Sequence, residues 1–318
     1  MKTEVRVSLV MALGAMLLML AAPRLVPEAQ EAGAEPLRIS RDGYTLSAGD
    51  DWPDGAEVFY SVEELFAGDL LYVGVDTPLP EGLPAQQARN VRAMVGLYVP
   101  AAEGVALSEE TIYALCDLVA ENPLVKTWVM AGMRAPTEQY DLQKSAFAAY
   151  QATMPLEEAL ARARRDVPDS GKSEHQLATA FDVRLDGEAD WSRRDPMART
   201  EDGRWLLENA WRFGFIRRYP PEKVEITGVE NEAAHWRFVG RAHAAAMRVS
   251  GWCLEEYLMA LHEYGALRLD TPEGETVFLL CRALGAEGAS FPLPAGYAAV
   301  CSADNLGWAV CALMPEGD

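Results

Sequence analysis

The sequence predicts a protein of mixed secondary structure, in which helices and short strands alternate and the last part is rich in strands. Apolar residues recur at helical spacing in several stretches, such as 138–163. Short runs of strand-forming residues, such as Leu70–Val75, lie between these stretches. After about Ala266 the pattern changes to short strands and turns. At roughly 150 residues per domain, the 318 residues are enough for about two domains.

The N-terminus has the pattern of a targeting segment. Lys2 and Arg6 precede an apolar run over 7–22, which Pro23 ends. This pattern predicts a secretory signal, since the run is shorter than the ~20 residues of a transmembrane helix. An uncleaved membrane anchor is the alternative, because the small-residue site at 32–34 lies far from the run. In both cases we expect the rest of the chain to work outside the cytoplasm, either secreted or anchored to the membrane.

The elements that follow are predicted from local patterns. Leu70–Val75 predicts a strand, which three nearby prolines end. Ser108 precedes two glutamates and periodic apolar residues through Val119, and this arrangement predicts an N-capped helix. The later elements are strands over 126–130, 178–184 and 224–227, a helical stretch over 138–163 interrupted at Pro155, and helices over 205–213, 237–249 and 254–264.

Charge and cysteine usage exclude several classes of partner and site. The chain has 28 basic and 48 acidic residues, a net charge of −20, and such a surface repels nucleic acid and anionic lipid. We expect no nucleic-acid partner, and membrane contact only through the N-terminal segment. The five cysteines contain no C-x-x-C pair, so a thiolate zinc cluster is not expected. Cys301 and Cys311 either pair across a hairpin or remain buried thiols.

Several catalytic motifs are absent from the sequence. It contains no Ser-x-x-Lys, no G-x-S-x-G and no H-E-x-x-H. The segment 166–173 ends like a phosphate-binding loop, but Asp166 stands where that loop requires its first glycine. These absences argue against a penicillin-binding serine enzyme, an α/β-hydrolase and an ATP-binding protein.

Two groups of residues can supply the parts of a catalytic zinc site, which needs about three protein ligands and a carboxylate to accept a proton from water. The first is Ser173–Asp182, where His175 and Asp182 converge if a loop leads into a strand. The second is Glu232–His235, whose carboxylate and imidazole share a face if the segment is a helical turn. Each group taken alone is also compatible with a purely structural role.

Together these groups resemble the zinc D-alanyl-D-alanine carboxypeptidase family related to VanY. The family motif Ser-x-His-x-x-Gly-x-Ala-x-Asp matches Ser173–Asp182 except at Ala178, and its Glu-x-x-His element matches Glu232–His235. Segments 131–139, 209–220 and 226–228 resemble further family elements, in the same order. Two other departures are Ala131 for the turn serine and Ala233-Ala234 for Pro-Trp, so we expect an aromatic wall of the pocket to be missing.

The resemblance implies an α+β fold of the hedgehog/DD-peptidase type, a small antiparallel sheet flanked by helices with a zinc site. It further implies that Zn²⁺ is the cofactor, bound by His175, Asp182 and His235, and that peptidoglycan stem peptides ending in D-Ala are the substrate. The implied roles of the other residues are general base for Glu232, oxyanion stabilisation for Arg134, and substrate positioning for Ser173 and Gln139. His243 and His262 are interpreted as structural or surface residues. Arg184, Arg217 and Arg218 are interpreted as surface charges, with attraction of a terminal carboxylate as the alternative.

The predicted organisation has three parts. Residues 1–34 form the signal or anchor with its spacer, 35–265 the zinc carboxypeptidase domain with an N-terminal extension, and 266–318 a small β-rich C-terminal region. Two other functions remain open at this point. One is an L,D-carboxypeptidase or endopeptidase that cuts the same peptides, and the other is a non-catalytic cell-wall peptide-binding protein.

Overall fold

The structure is a computed structural model that describes residues 37–49, 53–83, 86–122, 127–185, 196–230 and 232–316. The predicted targeting segment therefore lies outside the described residues. Among the helices that are described, none has the length and apolar character needed to cross a membrane.

Strands and helices alternate through the described part of the chain. The strands are β1 (Arg38–Arg41), β2 (Tyr44–Ala48), β3 (Ala56–Ser61), β4 (Arg89–Asn90), β5 (Ala106–Leu107), β6 (Thr127–Ala131), β7 (Ala180–Leu185), β8 (Phe215–Arg217), β9 (His235–Phe238), β10 (Ala266–Asp270), β11 (Thr276–Ala283), β12 (Gly288–Leu293), β13 (Tyr297–Ala303) and β14 (Trp308–Pro315). The helices are α1 (Val62–Phe66), α2 (Val91–Val95), α3 (Glu109–Glu121), α4 (Pro136–Gln151), α5 (Leu156–Asp166), α6 (Glu201–Asn209), α7 (Val224–Thr227), α8 (Arg241–Ser250) and α9 (Leu254–Tyr264). Short 3-10 turns cover Glu174–Leu177, Met197–Arg199, Ala210–Phe213 and Pro221–Lys223.

A four-stranded antiparallel sheet, in the order β6-β7-β9-β8, carries the predicted metal ligands. Asp182 on β7 is the pairing partner of His235 on β9. Residues that face each other across antiparallel strands point to the same side of the sheet, so these two side chains meet. The opposite side of this sheet packs on α3, through residues such as Leu115, Val129 and Phe181.

A second, six-stranded sheet has the order β1-β2-β10-β11-β14-β13, with every neighbouring pair antiparallel. The strands after residue 265 confirm the predicted β-rich region. Four of them continue a sheet that begins with β1 and β2, in which Leu46 on β2 pairs with Leu269 on β10, and β12 pairs separately with β3. Helices α8 and α9 pack on this sheet, and Leu258, Leu261 and Leu279 are fully buried between them. The boundary predicted at 265/266 stays a prediction.

Two predicted strands are wrong. Segment 70–75 is not a strand, and its start is held by Arg237, whose guanidinium donates to the Asp69 and Leu71 carbonyls at 2.6 and 3.1 Å. Segment 224–227 is the short helix α7, which the Gly228 N–H closes by donating to the Val224 carbonyl. The turns around this segment outweigh the strand preference of its β-branched residues.

Cys301 and Cys311 form a disulfide across the β13–β14 hairpin, in which they are direct pairing partners. This is the first of the two possibilities that the sequence left open. Cys116, Cys253 and Cys281 are free thiols, and the last two are buried.

Candidate active site

His175 is held in place by a tight turn. It lies on the 3-10 turn Glu174–Leu177, which Ala178 ends with a φ of 62°. His175 Nδ1 lies 2.7 Å from the Gly132 carbonyl, and the His175 carbonyl in turn accepts the Arg134 backbone N–H at 2.9 Å. With Nδ1 bonded to the Gly132 carbonyl, Nε2 faces the sheet, where Asp182 Oδ2 lies 3.2 Å away.

The three predicted metal ligands form one cluster. His235 Nδ1 lies 2.9 Å from Asp182 Oδ1, and one ligand atom from each of His175, Asp182 and His235 lies within 4.8 Å of the other two. The two imidazole rings are 4.9 Å apart between centroids. Both histidines are buried, at 4% and 5% exposure. Two imidazoles and one carboxylate are a ligand set that Zn²⁺ accepts in proteins.

The electrostatics of the cluster favour an ionised aspartate. Burial opposes the charge on Asp182, but hydrogen bonds from His175 and His235 outweigh burial and hold its pKa well below the usual value. Burial lowers the pKa of His175. Burial also acts to lower the pKa of His235, but its hydrogen bonds to Asp182 and Glu174 raise that pKa to about 9. Because an imidazole binds a metal in its neutral form, a metal at this cluster competes with the proton that these carboxylates favour on His235.

A cleft of about 630 Å³ opens over the cluster, and the two predicted catalytic residues line it. Arg134 Nη2 lies 3.1 Å from Asp182 Oδ2. The backbone carbonyl of Glu232 accepts the His235 N–H at 3.1 Å, in the turn that leads into β9. Burial raises the pKa of Glu232, and the nearby charge of Asp182 adds to this effect. A carboxylate with a raised pKa is suited to accept and return a proton near neutral pH.

The two predicted substrate-positioning residues differ in position. Of the described residues that line the cleft, Ser173 is one and Gln139 is not. Gln139 is fully buried, its Nε2 donates to the Pro168 carbonyl at 2.7 Å, and its Oε1 lies 3.5 Å from Arg134 Nη1. The structure thus places Gln139 behind Arg134. The substrate-binding roles of Ser173 and Gln139 stay predictions.

The histidines interpreted as structural or surface residues lie outside the cluster. His243 Nδ1 lies 2.6 Å from the Tyr257 hydroxyl in the core, and His262 Nε2 lies 2.5 Å from Asp304 in the C-terminal region. The surface assignment of Arg218 is wrong, because this side chain is buried and pairs with Glu174 and Glu255. Both carboxylates are distant from Arg218 in sequence, so the sequence gives no local indication of these pairs.

The site contains an aromatic side chain even though Ala233-Ala234 replaces the Pro-Trp of the family motif. Trp236 follows His235 on β9, points to the opposite side of the sheet and is buried in the core at 2% exposure. Tyr219 instead stacks on the His235 ring, with centroids 5.3 Å apart and an angle of 25° between planes. The residue patterns do not predict the roles of Tyr219 and Glu174. The position of Glu174 immediately before His175 was the one available indication.

The comparisons with known proteins point to one family. Residues 109–241 match the model of VanY, described as D-alanyl-D-alanine carboxypeptidase. A D-alanyl-D-alanine carboxypeptidase of Enterococcus faecalis is 44% identical over 131 residues, which are 41% of this chain and 46% of that relative. The match therefore spans about half the length of the relative.

Two solved structures are similar as well. The vancomycin resistance D,D-dipeptidase VanXYg, in complex with a D-Ala-D-Ala phosphinate analogue, is 20% identical with a TM-score of 0.68, over 81% of this chain and 98% of that chain. This likeness confirms the α+β fold class. A Zn(II) complex of a D,D-pentapeptidase VanY variant is 34% identical, over 60% of this chain and 98% of that chain, with a TM-score of 0.48. Residues 109–241 of the chain thus match the VanY family of D-alanyl-D-alanine carboxypeptidases.

Proposed function

We propose that this protein is a zinc-dependent D-alanyl-D-alanine carboxypeptidase that removes the terminal D-Ala from peptidoglycan stem peptides. The observation that carries the proposal is the cluster of His175, Asp182 and His235 under a cleft lined by Glu232 and Arg134. The family that residues 109–241 match supports this reaction over an L,D-peptidase or a non-catalytic binding protein.

The residues present fit a zinc ion. In each histidine, the ring nitrogen that faces away from the cluster makes a second contact. His175 Nδ1 contacts the Gly132 carbonyl, and His235 Nε2 contacts the buried carboxylate of Glu174. Such outer contacts are usual for histidines that bind zinc, because they fix the ring and its tautomer. Bound there, zinc supplies a Lewis acid and lowers the pKa of a coordinated water to about 7.

The remaining chemistry belongs to the protein. Glu232 accepts the proton of the attacking water and returns it to the departing amino group, a transfer to which its raised pKa is suited. The Arg134 guanidinium lines the cleft beside Asp182, where it stabilises the negative charge that develops on the scissile carbonyl oxygen. Ser173, which also lines the cleft, contributes to positioning the peptide terminus.

We further propose that the protein acts outside the cytoplasm, secreted or held at the membrane by its N-terminal segment. The charged and apolar pattern of residues 2–22 supports this location. The Cys301–Cys311 disulfide adds support, because disulfides persist mainly in oxidising compartments. Protease added to intact cells is expected to degrade the body of the protein, and full protection would contradict the location.

The test of the reaction combines metal content with hydrolysis of a peptide that ends in D-Ala-D-Ala. The wild type is expected to contain zinc and release one D-Ala. His235→Ala is expected to lose both zinc and activity, since it removes one of three protein ligands. Glu232→Gln is expected to keep zinc and lose roughly 10²–10⁴-fold in rate. Arg134→Ala is expected to keep zinc and lose about 10²–10³-fold.

Four results would contradict the proposal or one of its residue assignments. Normal turnover of the Glu232→Gln protein would show that Glu232 is not the general base. Absence of zinc from this variant would show that Glu232 is a metal ligand. Cleavage of an L-D bond in place of the D-Ala-D-Ala bond, read from the product mass, would indicate the L,D-peptidase. Covalent labelling by penicillin would indicate a serine enzyme, although the sequence has no Ser-x-x-Lys motif.

A further inference from the structure

A group of charged side chains adjoins the metal-binding cluster, and three of its members, Glu174, Arg218 and Glu255, also line the cleft. None of them is a metal ligand or a catalytic residue of the proposed reaction. The fourth member is Arg237. Glu174, Arg218 and Arg237 have 3%, 1% and 0% exposure. Charges are rarely buried this fully unless they are paired, and their burial is costly even then. The arrangement of the pairs indicates what the group does.

The two carboxylate oxygens of Glu174 contact different partners. Oε1 accepts Arg218 Nε at 2.8 Å and lies 3.2 Å from Arg237 Nη1. Oε2 lies 3.2 Å from His235 Nε2, from which it accepts a hydrogen bond. The two arginines thus fix the carboxylate so that its second oxygen is directed at the imidazole.

This contact determines which nitrogen of His235 faces the metal-binding cluster. With Nε2 bonded to Glu174, the nitrogen next to Asp182 is Nδ1, at 2.9 Å from Oδ1. The hydrogen bond on one ring nitrogen sets the tautomer and orientation of the ring, and hence which nitrogen binds a metal. Tyr219, stacked on the same ring, limits its rotation further.

Arg218 connects Glu174 to helix α9, which follows the segment 109–241 that matches the family model. Its Nη1 and Nη2 donate to Glu255 Oε2 and Oε1 at 3.0 and 2.7 Å, a bidentate pair. Glu255 lies on α9, whereas the family match ends at residue 241. Bidentate guanidinium–carboxylate pairs have a fixed geometry, so α9 determines where Arg218 holds Glu174.

We propose that Glu174 is a positioning residue for the metal ligand His235, and that Glu255 on α9 supports it through Arg218. The zinc affinity of the site then depends on a helix that lies after residue 241, where the match to the family model ends. This inference rests on the proposed function, because it concerns the zinc ion that the proposed reaction uses. It adds a connection from the C-terminal helix to the metal site.

The test measures the zinc dissociation constant of each purified full-length variant, by competition with a chromophoric chelator. Glu174→Gln is expected to weaken zinc binding by about 10–100-fold, the range found for outer-shell partners of metal ligands. Glu255→Gln acts one contact further away, and we expect a weakening of roughly 3–10-fold. The visible spectrum of the cobalt-substituted protein should change in both variants, since it reports ligand orientation.

Glu256→Gln is the matched control on the same helix. Glu256 pairs with Lys223 at 2.7 Å and accepts the Cys253 N–H at 2.9 Å, but this network does not include Arg218. Glutamine keeps the capping contact. The control is therefore expected to bind zinc within about twofold of the wild type, although it also removes an ion pair of α9.

The outcomes separate the inference from the proposed function. Wild-type zinc affinity in both Glu174→Gln and Glu255→Gln would overturn the inference, while the zinc and D-Ala release of the wild type would still stand. Equal weakening in Glu256→Gln would also overturn it, since the effect would then come from α9 stability. A wild type that binds no zinc would overturn both. If Glu174→Gln does not fold, Glu255→Gln decides the test alone, because its side chain is 12% exposed and less enclosed.

Discussion

Ala178 shows how a single residue keeps the metal-site turn in shape without the glycine that is usual in the family. Its φ of 62° and ψ of 7° place it in the left-handed region. The backbone therefore follows the path that glycine would take, and its carbonyl accepts the Ser108 N–H at 2.8 Å. The left-handed conformation costs a non-glycine residue about 1–2 kcal/mol.

We predict that Ala178→Gly changes the free energy of unfolding by less than about 1 kcal/mol. Release of the backbone strain is offset by about 0.4–1 kcal/mol for the freer unfolded chain and about 0.8 kcal/mol for the lost methyl group, which is buried. Urea unfolding measures the change, and zinc affinity should stay unchanged. Ala178→Val is the contrasting variant, since a β-branched residue at this φ should destabilise strongly. A tenfold change in zinc affinity for Ala178→Gly would show that alanine distorts the site.

At the residue scale, the sequence predicts ligands better than it predicts their surroundings. The structure brings His175, Asp182 and His235 together, and the sequence indicates them through two short segments that resemble the family motif. Glu174 and Arg218 are not indicated in this way, because burial of a charge depends on a partner that the fold supplies from far along the chain. A charged residue in a sequence is ordinarily interpreted as exposed.

Helix α3 illustrates what local sequence determines at the scale of an element. Ser108 is its N-cap, and Ser108 Oγ accepts the Thr111 N–H at 3.2 Å. The helix buries Ile112, Leu115 and Leu118 against the small sheet. Both the cap and the apolar periodicity are local, so this helix could be predicted closely from the sequence alone.

We predict that Ser108→Ala destabilises the protein by about 1 kcal/mol, because one N-terminal N–H of α3 loses its acceptor. For a protein of this size the melting temperature should fall by about 2–4 °C. Ser145→Ala is the matched control. Ser145 lies within α4 and bonds back to the Asp141 carbonyl, a contact that adds little to a helix. If the two substitutions had equal effects on thermal unfolding, the capping contact would not stabilise α3.

The short segment 224–227 shows the limit of local prediction. Valine, isoleucine and threonine favour a strand, but the segment lies between a 3-10 turn and Gly228 and forms one helical turn. Four residues do not carry enough periodicity to distinguish the two structures. The surrounding fold decides between them.

At the scale of the whole molecule, His243 links stability to pH. It is 4% exposed in the core beside Tyr257, and burial lowers its pKa to about 3. The unfolded chain, with a histidine pKa of about 6.5, binds a proton that the folded protein excludes. His243 therefore does not affect the free energy of unfolding above about pH 6.5. As the pH falls from about 6.5 towards 3, its contribution lowers that free energy by about 1.4 kcal/mol per pH unit.

We predict that the wild type loses roughly 2 kcal/mol more than His243→Gln between pH 7 and pH 5. Urea unfolding of both proteins in the presence of a metal chelator removes the contribution of metal binding. The other titrating groups are common to both proteins and cancel in the difference. Identical pH dependence of the two proteins would show that His243 takes up its proton without unfolding.

From the strand pairing in the six-stranded sheet, we predict that the protein does not fold without residues 266–318. A chain that ends at residue 265 would leave the β2 edge without its partner β10 and expose the faces of α8 and α9 that Leu267 and Leu279 cover. We expect this truncated protein to be insoluble or unfolded, as measured by circular dichroism and expression yield. A folded, zinc-binding truncation would instead show that 266–318 is the separate region predicted from the sequence.

The pairing of β2 with β10 also constrains the order in which the chain folds. Leu46 and Leu269 are neighbours in the sheet but are roughly 220 residues apart in sequence, and such distant pairs form slowly. During synthesis, the β2 edge of the β1–β2 hairpin stays unpaired until most of the chain has been made. The large sheet is therefore completed late, after residues 266–270 of β10 have been synthesised.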